Sequence, residues 1–414
     1  MIAIIRHCLH HPAKAAILLR GGLVAGNIAV LSGLALLLGL DGFGALIVAW
    51  GLALVGSTLL GFGGPLTLLA RLGAGQGMHP LALGVLCFGL PGLAALLVLP
   101  VLHLIWPAMP WAAVLALAVA INLAACLASV LRALGVLHLS MALRDAAPLL
   151  ALGLAGLSGG GTAPILWLTA ALLGLICLLA VGLCLRDPGC AQIIGREMPA
   201  AIVQPGLWAS AVLGMVLAQV DIILGGQLLS AEQIGLYALL RRIANLVALP
   251  VTVATWVSAG PISAAHAAND LPALQQASLS GARIAVWPGL ALALLALASL
   301  PVLVWSLPDL RLPVLWPVLL VLLAGTLVQL ICAQGVTVAS LTGHGDLAAR
   351  ARLAGVLGYL AAVASAPAPD PLRNALCYAL GLCLCHGLLW LWLWRATGVN
   401  TLAFQIGGRA WRMS

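Results

Sequence analysis

In the stretch YALLRRIANLV, residues 237–247, two adjacent arginines stand in an otherwise largely apolar run. Tyr237, Arg241 and Asn245 recur at i, i+4 and i+8, so on a helix they form one polar stripe, with Arg242 three residues before Asn245. A guanidinium binds phosphate through a planar, bidentate fork, so this stripe fits an anion site. A blander reading competes with it: both guanidiniums could snorkel to a headgroup layer and merely anchor the helix. A second ionisable group, Asp221, sits in QVDIILGGQLL with no other charge beside it. A lone carboxylate in such a run fits proton or cation coupling, or a counter-ion for Arg241 or Arg242.

The elements that carry these residues must cross a membrane. Of the 414 residues, 64% are hydrophobic and 7% charged, and the mean hydropathy is +1.18. Too little polar surface remains to coat a water-soluble globule. Apolar stretches of about 20 residues recur along the chain, the length that spans a bilayer core as helix. Breaks at Gly, Pro and charged clusters predict twelve spans, at 17–39, 44–64, 80–101, 111–131, 146–157, 164–185, 207–229, 234–258, 284–305, 314–338, 353–366 and 374–394. The start, MIAIIRHCLHHPAKAAILLR, shows no A-x-A-type cleavage site, so the first span is expected to stay in the mature chain.

Charge placement predicts the orientation. With the N-terminus cytoplasmic, fourteen of the 18 Lys and Arg fall on cytoplasmic segments, and only Arg311 and Arg373 on the opposite side. Arg241 and Arg242 belong to neither. Both termini are therefore expected in the cytoplasm, and the net charge of +8 reads as topology rather than nucleic-acid binding.

No metal, cofactor or enzyme constellation is expected. Most of the ten Cys lie in apolar runs, where they act as small hydrophobes. Cys383 and Cys385 are two residues apart, on different faces of a helix, which favours packing over metal binding. Cys8, His10 and His11 read as a membrane-surface segment. The nine His are scattered, and no span holds paired carboxylates.

The two halves echo each other. DGFG at 41–44 and EQIG at 232–235 each close a hairpin turn, and Gly64-Pro65 and Gly260-Pro261 each close the following span. Six spans per half make a parallel repeat, an architecture in which two bundles rock about a shared path. The expected division is a bundle at 1–185, a cytoplasmic linker at 186–205, a second bundle at 206–396 and a cytoplasmic tail at 397–414. Setting Gly44 against Gly235 puts Trp50 and Gly51 where Arg241 and Arg242 stand, so the fold of a repeat does not require the arginines. In the first half, Arg20 and Asn27 are seven apart and share a face of span one, where Arg20 serves a cavity or anchors at the interface. Asn122, Gln219, Gln329 and Gln334 read as helix–helix contacts.

Residues 218–276 resemble the polysaccharide and lipid-linked oligosaccharide flippases of the multidrug/oligosaccharidyl-lipid/polysaccharide exporter superfamily. Gln219, Asp221, Glu232, Gly235, Tyr237, Arg242, Pro250 and Pro261 match the family pattern, and Gly343 and His344 match its T-G-H motif. The resemblance implies an all-α polytopic protein, two six-helix bundles in a V around a central cationic cavity. It implies a flippase that moves an undecaprenyl-pyrophosphate-linked oligosaccharide, as in O-antigen or exopolysaccharide synthesis, across the bacterial inner membrane by alternating access. The pyrophosphate would meet Arg241, Arg242, Asn245 and Tyr237, with proton or sodium coupling at Asp221. A polysaccharide polymerase or export machinery would be the protein partner. The alternative within the same fold is an ion-coupled multidrug exporter.

Overall fold

The computed structural model describes residues 12–73, 76–184, 205–306, 312–365 and 370–404. The first helix, α1, spans Pro12–Leu60, and if straight its 49 residues at 1.5 Å each would reach about 73 Å, more than twice a bilayer core. It folds at Gly39, whose φ of 70° and ψ of 170° are accessible to a residue without Cβ. Its two arms are the first two expected spans. The chain then runs through the short helix α2 (Gly64–Gly73), α3 (Pro80–Ile105), α4 (Trp111–Ala133), α5 (Leu137–Gly156) and α6 (Thr162–Cys184). It continues with α7 (Pro205–Leu228), α8 (Ala231–Ala267) and α9 (Leu271–Ser306). It ends with α10 (Leu312–Ile331), α11 (Gly335–Leu341), α12 (Gly345–Ser365) and α13 (Pro371–Thr397). Among the described residues, eleven helices are long and apolar enough to cross a membrane, and the one at Gly26–Leu60 contains the Gly39 fold.

Several boundaries differ from those expected. The fifth span begins at Leu137, not near 146: the helix continues through a π-helical turn at Ala142–Ala146, in which Arg144 and Asp145 pair at 3.0 Å. The eleventh begins at Gly345, where Asp346 and Arg350 pair one turn apart at 3.3 Å. Gly260-Pro261 does not close the eighth span: the helix runs on to Ala267, with Ser258, Ile262 and Ala265 all buried. The hairpin turns also end earlier than expected. DGFG is already helical, and EQIG lies in the first turn of α8 behind a capping box, in which Gln233 N–H donates to Ser230 Oγ and Ser230 N–H donates to Gln233 Oε1.

Two compact units result, one up to Leu239 and the other from Leu240, with the boundary inside α8; most of the expected linker at 186–205 lies outside the described residues. The first unit includes α7 because α7 packs antiparallel along the second arm of α1. At one end the Trp208 indole donates to the Leu59 carbonyl at 2.9 Å and its ring meets Phe62. Midway, Gly51 faces Gln219, and further along Gly226 faces Val48. At the far end Gly44 and Gly235 touch backbone to backbone. A Cβ on Gly44 would strike the Ala231 carbonyl oxygen, and one on Gly235 would strike the Leu40 carbonyl oxygen. These are the two glycines that the repeat sets against each other.

In the second unit, α12 and α13 pack so closely that a Cβ on Gly381 would sit 2.8 Å from the Gly355 carbonyl oxygen. The described part of the expected tail, 398–404, is docked on this unit. Asn400 exchanges hydrogen bonds with the Gln275 side chain at 2.6 and 2.8 Å, and Ala403 N–H donates to the Ile331 carbonyl. That last bond satisfies a carbonyl left open at the end of α10.

Candidate functional site

In the first unit, α7 and the start of α8 bring Asp221 and Tyr237 together. Both are fully buried, and the Tyr237 hydroxyl donates to Asp221 Oδ2 at 2.7 Å. At that length the bond is of the strong, charge-assisted kind when the carboxylate is ionised. Gln219, two residues before Asp221, keeps its Oε1 buried without a hydrogen-bond partner among the described residues, close to the bare backbone of Gly51.

In the second unit, Arg241 lies ten residues into α8, about 15 Å from its start at 1.5 Å per residue. It is 4% exposed. Its guanidinium donates to Asn245 Oδ1, one turn on, and to the Tyr378 hydroxyl on α13, and it lies over the Tyr378 ring with its central carbon 4.1 Å from the centroid. A cation over an aromatic face, removed from water, gains about 2 kcal/mol. Arg241 is thus held inside its unit, between α8 and α13. Nearby, the Tyr359 hydroxyl donates to Asn374 Oδ1 at 2.8 Å, so α12 and α13 share a buried polar seam. Arg242 is half-buried.

Each member of the stripe has a buried partner. Tyr237 turns to Asp221, whereas Arg241 and Asn245 turn to each other and to Tyr378. Tyr378 was not singled out in the sequence; only its spacing of four from Asn374, on a helix with few polar residues, hinted at it. Asn27 is half-buried on α1, and Arg20 is on the same helix with its side chain outside the described residues. The expected helix–helix contacts divide as well. Asn122 joins α4 to α3 by donating to the Cys87 carbonyl at 3.1 Å, and Gln334 accepts from the Ser258 hydroxyl at 2.8 Å. Gln329 instead lines a pocket of about 370 Å³ inside the second unit, together with Thr255, Thr337, Ser340 and His386. The T-G-H motif ends α11: the Thr342 hydroxyl donates to the Val338 carbonyl, and His344 Nδ1 lies 3.1 Å from that hydroxyl. Cys383 is exposed and Cys385 buried, on different faces of α13, and Cys8, His10 and His11 lie outside the described residues.

The Arg241–Tyr378 contact makes a stability prediction. Tyr378→Phe removes one hydrogen bond to a charged group but keeps the ring, and is expected to cost about 1.5–3 kcal/mol. Tyr378→Ala also removes the ring face and leaves a cavity, and is expected to cost at least about 3 kcal/mol. Thermal unfolding of the detergent-solubilised chain checks the order; equal losses from the two variants would show that the ring does not hold the guanidinium.

Taken together, the described chain is an all-α, multi-pass membrane protein with paired charges and buried polar clusters inside its spans. No family model matches the sequence, and no curated protein matches it. Its fold is similar to that of solved MATE transporters. An inward-facing multidrug resistance MATE family transporter of the MOP superfamily matches with a TM-score of 0.66 and 13% identity, over 89% of this chain and 93% of that one. A mutant of the Vibrio cholerae MATE transporter VcmN matches with a TM-score of 0.63 and 17% identity, over 95% and 98%. A MATE protein in complex with Br-NRF matches with a TM-score of 0.62 and 14% identity, over 94% and 96%. At these identities the likeness concerns the fold.

Proposed function

We propose that this chain is a secondary transporter that carries an amphipathic substrate across a membrane by alternating access. Proteins of this fold are described in both inward-facing and outward-facing conformations, which supports a rocking cycle. The observation that carries the reading is the Asp221–Tyr237 pair: a fully buried carboxylate in a membrane span, bonded to a phenol, is costly to maintain and suited to ion coupling. Within that class, an ion-coupled multidrug exporter has the stronger support. Two of the fold neighbours are described as multidrug resistance transporters, and the buried Arg241 is engaged by Asn245 and Tyr378.

A lipid-linked oligosaccharide flippase is the second reading. It is favoured by two cations, Arg241 and Arg242, in one span, and by the residues 218–276 that resemble the flippases. In that reading a pyrophosphate approaches Arg242 with Arg241, Asn245 and Tyr237 behind it, the inner membrane is the setting, both termini are cytoplasmic, and polysaccharide export machinery is the partner.

One pair of assays separates the two. The chain is expressed in a strain lacking its drug exporters and, separately, in a strain deleted for glycan export. Ion-driven extrusion of a cationic dye, without restored surface glycan, is expected. Restored glycan that is lost on joint replacement of Arg241 and Arg242 by Ala would overturn the exporter in favour of the flippase. Failure of both assays in a well-expressed chain would overturn the transport reading.

A further inference from the structure

Spans eight and ten both leave regular α-helical geometry in the second unit. In α8, Leu246–Ala248 tighten into a 3-10 turn immediately before Leu249 and Pro250. In the tenth span, α10 stops at Ile331, and residues 332–334 turn before α11 starts at Gly335. Irregular backbone at membrane depth is tolerated where it is covered by protein or lines a cavity. Here a cavity lies beside both breaks: the pocket of about 370 Å³ is bordered by Val251 just past the first and by Cys332 and Ala333 in the second.

The lining has a definite chemistry. Its walls are mostly apolar, and none of the residues bordering it is Asp, Glu, Lys or Arg. The polar groups are neutral hydrogen-bonding ones. The Thr337 hydroxyl donates to the Thr255 hydroxyl at 3.2 Å, and the Thr255 hydroxyl donates to the Val251 carbonyl at 2.9 Å, which leaves oxygen lone pairs on Thr337 for an incoming donor. His386 borders the pocket with its Nδ1 buried and without a hydrogen-bond partner among the described residues. Pockets that hold small molecules have volumes of roughly 300–1,000 Å³, apolar walls and a few convergent polar groups. A full charge placed here would lose its hydration and meet no ionised side chain among the residues that border the pocket, a cost of several kcal/mol.

We propose that this pocket is a binding site for an uncharged, hydrogen-bonding ring of one or two cycles. It is distinct from the Asp221–Tyr237 and Arg241–Tyr378 clusters, and it stands whether or not the chain transports anything, because binding is read without transport. The walls take the faces of the ring, and Thr337, Gln329 and His386 take its polar edge.

Cys332 reports on occupancy. The full chain in detergent is treated with N-ethylmaleimide, a small neutral ring, and modification of Cys332 and of the exposed Cys383 is followed by peptide mass spectrometry. Rates are expressed relative to the denatured chain. Cys332 is expected to react with the maleimide at least tenfold faster, on that scale, than with cationic or anionic thiosulfonates. Coumarin, a neutral bicyclic ring, is expected to slow Cys332 at least fivefold and leave Cys383 unchanged, whereas N-methylquinolinium and 1-naphthoate do not. Thr337→Phe, or Val336→Phe where the first variant fails to fold, fills the pocket and is expected to abolish both the labelling and the coumarin effect. Overturning results are an inert Cys332, equal reaction with charged reagents, protection by a charged ring, no protection by coumarin, or labelling unaffected by a folded pocket-filling variant.

Discussion

Gly44→Ala and Gly235→Ala are each expected to destabilise the first unit by about 3 kcal/mol, out of proportion to the addition of one methyl group. The reason is what that methyl meets. At Gly44 it runs into the Ala231 carbonyl oxygen and comes within 2.9 Å of the Gly235 amide nitrogen; at Gly235 it runs into the Leu40 carbonyl oxygen. Both obstacles are backbone, so no side-chain rotation relieves the clash, and α1 and the start of α8 must separate. Close backbone approach through small residues is how helices associate where lipid supplies no hydrophobic drive. The control is Gly22→Ala, where an added Cβ meets nothing within 4 Å and loss of a helical glycine is expected to be neutral or mildly stabilising. Thermal unfolding of the three variants in one detergent checks this; a Gly44 or Gly235 variant as stable as the Gly22 variant would refute the contact.

The second large effect is expected at Asp221. Asp221→Asn keeps the shape and an oxygen that can accept from the Tyr237 hydroxyl, so the chain is expected to fold with a small loss of stability. Ion-driven transport is nevertheless expected to fall at least tenfold, because in the proposed cycle the carboxylate charge is what binds and releases the coupling ion. Tyr237→Phe tests the same pair from the other side. It removes a hydrogen bond to a charged group and is expected to cost about 1.5–3 kcal/mol. Transport by reconstituted chain in proteoliposomes, driven by an imposed proton or sodium gradient, is the measurement. Unimpaired transport by Asp221→Asn would remove Asp221 from the coupling step and leave it a packing residue.

How much was legible in the chain depends on whether the signal was local. Span count was local: apolar stretches of helical length are written in the sequence, and the twelve crossings follow once α1 is seen to fold at Gly39. Span ends were less so. Arg144 and Asp145 look like a span end in one dimension, but they pair within a π-helical turn and the helix continues on both sides of it. The pairing of Gly44 with Gly235 was visible as a position in a repeat, although nothing in the letters said that the two residues touch.

The polar residues mark the limit. Composition alone determined that Tyr237, Arg241, Asn245 and Asp221 must find partners, since a lone charge or hydroxyl in hydrocarbon is costly. Helical periodicity put three of them on one stripe and implied one shared site. Only the tertiary structure supplied the partners, Asp221 on α7 for Tyr237 and Tyr378, far away along the chain, for Arg241. Periodicity records which side chains share a face, whereas a hydrogen bond depends on which other helix lies opposite each turn of that face. For the same reason the pocket at Thr255, Thr337 and His386 had no sequence signature. Its residues come from four separate helices, and what defines it is the space that those helices leave between them.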